Sequence, residues 1–208
     1  GGIYFKGTVY INFSWKEDVF PLFCNRIMGK VFNLFFRAVS VEASARHKML
    51  AISFAYLLSV VLTPQSYLLM TNAKTEIFDK ASPERCEEHQ RLDDKLFRTC
   101  AGVVEEAIVK QELILDSGVS VEDVSLSFYA MTFGTIGLLL KKDRTCGAPA
   151  SAILEDKVIA HINIVMNGFC WAKPEQSQQA FLEQLKAEVF ADEIAMLHAR
   201  GVDLQTGI

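Results

Sequence analysis

The residues able to do chemistry fall in three places. Near the start, Lys6, Thr8 and Lys16 set a hydroxyl and two ammonium groups close together, a set suited to a phosphate backbone. In the middle, Cys86-x-x-His89 with Glu87 and Glu88 beside it places a thiol and an imidazole on one face of a helix. A zinc site needs three or four ligands, and no second pair of this kind stands elsewhere, so Glu84 to Asp94 reads as a solvated charged face. His47, His89, His161 and His198 pair with no Ser or Cys in a nucleophile motif, and there is no glycine-rich phosphate loop. Neither an enzyme nor a cofactor is expected. The third group is apolar: Phe54, Leu57, Tyr67, Met70, Phe97, Phe128 and Met131, with Tyr56, Tyr129 and Phe133 among them. Aromatic and Met-rich linings suit an adaptable hydrophobic pocket, although each of these residues also suits plain core.

The elements that must position these groups are helical, because the apolar spacing has three- and four-residue steps nearly throughout. A long helix is expected from Trp15 to about Arg37, its stripe Phe20, Phe23, Ile27, Val31 and Leu34 widened by Phe32, Phe35 and Phe36. Ser14 and Glu17 form a capping box for it, and Glu17 and Asp18 add negative charge at its start. Pro21 should bend this helix unless the helix begins later. Six more helices are expected: Val41 to Thr63, Gln65 to Lys80, Ser82 to about Asp116, Ser120 to about Lys142, Ala150 to Trp171, and one opened by Lys173-Pro174 that ends at Gly201. Ser82 reads as an N-cap with Pro83 behind it, and Gly134 and Gly137 would permit close helix approach. The fold class is therefore all-α, with a boundary near Ala38-Val39-Ser40 dividing residues 1–39 from 40–208.

Charge is distributed unevenly. The first 48 residues carry +4 and the remainder −8, for a net of −4. A basic start on an acidic body is what a nucleic-acid-binding end would show. Cys24, Cys86, Cys100, Cys146 and Cys170 are odd in number and widely spaced, so a reducing, cytoplasmic setting is expected rather than a disulfide framework. Two apolar runs, Met49 to Thr75, interrupted by Pro64-Gln65-Ser66 and broken by Lys74, and Val124 to Leu140, each fall at or below the roughly 20 unbroken apolar residues that span a bilayer, and read as buried helices.

The stretch Gly7-Thr8-Val9-Tyr10-Ile11-Asn12-Phe13-Ser14-Trp15-Lys16-Glu17-Asp18 ties these observations together. G-T-V-Y-x-x-F-x-x-K-E-D resembles the end of the helix-turn-helix of TetR-type (tetracycline-repressor-like) transcriptional regulators. Asn12 stands where the family has a second aromatic or His, and the preceding Gly2-Ile3-Tyr4-Phe5-Lys6 lacks the family's Ser. The resemblance covers about a dozen residues. It implies that Lys6, Gly7, Thr8 and Ile11 meet base edges and that Tyr10, Asn12 and Lys16 meet phosphates. It also implies two further helices before Gly1, a six-helix body after the DNA-binding head, an effector held between the central helices, and a homodimer. The dimer seam would run through helices near 121–142 and 150–171, two from each copy making a four-helix bundle.

These readings converge on a cytoplasmic, dimeric, DNA-binding transcriptional regulator. It is expected to act as a repressor released from double-stranded operator DNA by a small hydrophobic or aromatic effector. Three rivals stand beside it: a helical ligand-binding and dimerisation module that does not bind DNA, an all-α enzyme using Cys86, His89 or nearby carboxylates, and a membrane-embedded bundle.

Overall fold

A computed structural model describes residues 16–72, 76–140 and 153–204. The fold is all-helical. A 3-10 turn, Lys16–Asp18, leads into α1, Val19–Val39. There follow α2, Ala45–Leu62; α3, Pro64–Asn72; α4, Glu76–Asp79; α5, Pro83–Val109; α6, Val121–Leu140; α7, Leu154–Gly168; α8, Gln178–Gln184; a π turn, Leu185–Val189; and α9, Ala191–Ala199.

The core is organised around α2, which packs against α1, α3, α5, α6, α7, α8 and α9. Its residues Met49, Leu50, Ala51, Phe54, Ala55, Leu57 and Leu58 are all buried, so the uncharged run in the sequence belongs to a helix enclosed on every side. By length and composition α2 and α6 could each cross a membrane; 78% of the α2 window is buried inside the protein, against 33% for α6.

Ser14, half of the capping box expected at the start of α1, lies outside the described residues. The helix begins at Val19, and Asp18 makes no side-chain bond to it. Its buried carboxylate instead reaches α5: Ser82 N–H donates to Asp18 Oδ1 at 2.7 Å and Ser82 Oγ–H to Oδ2 at 2.8 Å. Ser82, expected to cap α5 with its own hydroxyl, spends that hydroxyl on Asp18. Pro21 causes no break, because it lies in the first turn of α1, where the missing N–H has no intrahelical acceptor to lose.

Three other elements differ from expectation. The helix expected over 65–80 is two pieces, α3 and α4. Helix α5 stops at Val109, because Gln111 turns left-handed (φ 58°) and Glu112 N–H returns to Ala107 O, the bond that closes a Schellman motif. The last helix begins at Gln178 rather than near Lys173, and is broken after the π turn: Phe190 N–H bonds to Leu185 O at 2.9 Å, and α9 starts afresh. Helix α7 ends like α5, with Cys170 left-handed (φ 55°) and Trp171 N–H donating to Met166 O.

Candidate functional site

Between α1, α2, α3, α5 and α6 lies a cavity of about 1000 Å³. Its wall is built from one face of each helix. On α2 and its C-cap the lining residues are Met49, Ile52, Ser53, Tyr56, Ser59, Val60 and Thr63, spaced by the helical repeat. Of the residues singled out from sequence, Tyr67, Met70, Phe97 and Phe128 lie on the wall, as do Tyr56, Tyr129 and Phe133. Phe54, Leu57 and Met131 lie off it. For the first two the reason is helical phase: they share the opposite face of α2, where Phe54 meets Phe190 with ring centroids 6.0 Å apart and Lys186 lies over its ring.

Sequence reasoning missed the contribution of α1. Cys24, Ile27, Met28, Val31 and Phe35 form one side of the cavity. The width of the α1 apolar stripe was the available signal, since a helix packed on two sides needs a second partner.

The chemistry of the wall is aromatic and hydroxylic. Tyr56, Tyr67 and Tyr129 act electrostatically on one another. Burial pushes the Tyr67 phenol up to about 12, and burial first, then the other two phenols, raises Tyr56 as well, so all three stay protonated donors. Tyr67 donates to Phe133 O at 3.5 Å. Among the described residues Tyr56 and Tyr129 have no hydrogen-bond partner for their hydroxyls, which leaves both for an occupant. Cys24 and Cys100, also on the wall, are pushed up by burial to about 11 and about 12, so both thiols are unreactive.

The mouth of the cavity is acidic. Asp93, Asp94, Glu105 and Glu122 line it against Arg98, and all five are exposed. Asp93 acts electrostatically on both His89 and Tyr129.

His89 joins the cavity to α1. Its Nδ1 lies 2.9 Å from Asn25 Oδ1, while Asn25 Nδ2 donates to Arg85 O and to Glu88 Oε2, both at 3.1 Å. Since Asn25 Nδ2 faces two acceptors, its oxygen faces His89, and Nδ1 must carry the proton. Burial keeps the imidazole below its ordinary pKa, with Asp93 opposing. Cys86, the other half of the Cys-x-x-His pair, donates to Phe78 O. No group of three or more metal-ligating side chains occurs among the described residues.

Lys6, Gly7, Thr8, Tyr10, Ile11 and Asn12 lie outside the described residues, and of Lys16 the backbone alone is described, at the start of the 3-10 turn. Of the two glycines expected to admit close approach, Gly137 does so: a Cβ there would stand 3.3 Å from the Tyr67 hydroxyl. A Cβ at Gly134 would meet nothing within 4 Å.

No family model matches this chain. No curated relative matches it either. Among solved structures, the chain is similar in fold to a protein of unknown function from Rhodococcus sp. RHA1, at TM-score 0.58 and 17% identity over 76% of this chain and 75% of that one.

Proposed function

We propose that the protein is a TetR-like transcriptional regulator in which a small molecule, apolar or aromatic in body, occupies the cavity and weakens the hold on operator DNA. The observation that carries this reading is that α1 forms one wall of the cavity. In the sequence α1 follows directly on the stretch that resembles a DNA-reading helix, so an occupant touches the helix attached to that stretch. An occupant that moves α1 against α5 would retilt the head. Effector and DNA then weaken each other equally, as linkage requires.

The acidic mouth and the aromatic wall favour an effector that carries a positive charge over one that carries a negative charge. A homodimer, which the resemblance implies, would fit the same reading. Leu138 on α6 and Ile164 on α7 are large apolar side chains left exposed on the two helices that resemblance implicates in the seam. A second copy covering this face would set two heads on palindromic half-sites.

The test is binding of the protein to DNA upstream of its own gene over a salt series, with Lys16→Ala and Tyr10→Phe alongside. Sequence-selective binding that Lys16→Ala weakens, with a shallower salt slope, is expected. Binding indifferent to both changes would leave a helical ligand-binding and dimerisation module that does not read DNA.

A further inference from the structure

Lining a second pocket, Arg46 and His47 sit in the first turn of α2 and are buried to 6% and 3% exposure. The guanidinium donates to Trp171 O at 3.1 Å, to Asn163 Oδ1 at 3.0 Å and to Asn167 Oδ1 at 2.8 Å. All three acceptors are neutral. Those bonds use three of the five N–H groups a guanidinium carries, so two are left over. No carboxylate among the described residues forms an ion pair with it. Glu112 Oε2 accepts from Ala45 N–H at 2.8 Å and so offsets the positive end of the helix dipole, but it forms no ion pair with Arg46. A desolvated charge without a counter-charge is unfavourable, and proteins ordinarily pair such groups.

A second observation points the same way. His47 Nε2 is buried with no hydrogen-bond partner, and the ring is held in place by stacking on Phe181, centroids 4.2 Å apart. Arg46 and His47 line a pocket of about 380 Å³ together with Asn163, Asn167, Lys173 and Gln178. Glu175 is the one acid on its lining, is exposed, and pairs with neither Arg46 nor Lys173, so the pocket is net positive. Asn163 is fully engaged, its oxygen by Arg46 and its Nδ2 by Ile159 O and Gln178 Oε1, so the neutral donors left on the lining are the amide N–H groups of Asn167 and Gln178.

We infer that this pocket is a binding site for a small oxyanion, a carboxylate or a phosphate, held by the Arg46 guanidinium with Lys173 and His47 beside it. The two N–H groups left over, one on Nη1 and the one on Nε, can each donate to an oxyanion oxygen. The anion would tie the first turn of α2 to the end of α7 and to the segment between α7 and α8, and so fasten that side of the body. The site is separate from the aromatic cavity and does not depend on what occupies it.

The test measures the melting midpoint of the whole chain in chloride, acetate and phosphate at matched ionic strength, with line broadening of the phosphate phosphorus signal as a direct readout. A rise of about 2–4 °C over chloride in acetate, in phosphate or in both is expected, and which of them gives it identifies the oxyanion class. Asn167→Asp supplies a carboxylate at the 2.8 Å contact to Arg46 Nη2. It should raise the midpoint in chloride and abolish the gain from added anion. Lys173→Gln should weaken binding at least about threefold, as loss of one exposed charge near an anion does. Equal midpoints in all three salts would overturn the inference. So would a gain that persists unchanged in Asn167→Asp, because general salting effects on burial do not depend on this pocket.

Discussion

Asn25 on α1 and His89 on α5 are joined by a hydrogen bond of 2.9 Å from the imidazole Nδ1–H to the amide oxygen. It is one of three bonds by which Asn25, itself buried, grips α5 at the rim of the large cavity. Asp18 and Ser82 fasten the same two helices one layer further along. Replacing Asn25 by Ala takes the partner from His89 Nδ1–H, while Glu88 keeps Arg85, and should destabilise the fold by about 1–3 kcal/mol. Denaturant unfolding checks this; a loss near zero would mean that water replaces the amide without penalty.

The cavity predicts its own ligand preferences. A neutral fluorescent probe such as N-phenyl-1-naphthylamine should bind and brighten. Tetraphenylphosphonium should compete with it better than tetraphenylborate, which has the same shape and the opposite charge. Asp93→Asn should narrow that preference by about two- to fivefold, the scale of one exposed charge beside aromatic rings. Failure of the neutral probe would remove the cavity as a binding site. Equal competition by the two ions would remove only the charge preference.

Acid should weaken the fold before any carboxylate titrates. Burial lowers the pKa of His47 and of His89, with Arg46 adding to the effect on His47 and Asp93 opposing it at His89. An unfolded imidazole titrates near 6.5. Below that pH the unfolded chain binds protons that the folded chain refuses, so stability is full above about 6.5 and declines as the pH falls toward the folded values. Melting midpoints between pH 8 and pH 5 should be level at first and then drop, with a smaller drop in His89→Gln. A midpoint that holds level to pH 5 would contradict this.

Cys170 and Gln111 occupy left-handed positions that favour glycine. Cys170→Gly should therefore stabilise the protein by about 1 kcal/mol, the strain relieved less the added freedom of the unfolded chain. The expected rise in melting midpoint is about 2–4 °C. Gly201, already left-handed at φ 70°, gives the reverse control: Gly201→Ala should lower the midpoint.

If α6 and α7 form the seam between two copies, Ile164→Lys should split the dimer, because a charge would replace a side chain that is 62% exposed in the single chain. Sedimentation before and after the change is the measurement. A native chain that sediments as a monomer at micromolar concentration would refute the seam.

Composition and periodicity determined that this chain is helical and where most helices lie, because amphipathic spacing is local and needs no knowledge of neighbours. They also marked Ser82-Pro83 and Pro64 as helix starts or stops, since capping and proline sterics act within one turn. What the local pattern does not hold is the phase of each helix against the others. Phe54 and Tyr56 are two residues apart on the same buried helix, yet one packs on Phe190 and the other lines the cavity. Only the positions of α1, α5 and α6 around α2 decided which face would be left unfilled. The same holds for polar groups. Asp18 reads as a helix-start acid and caps a helix 64 residues away, and Arg46, a charge in the first turn of a helix, is enclosed. Both depend on contacts remote in sequence, which the free energy of burial selects and a one-dimensional pattern does not carry.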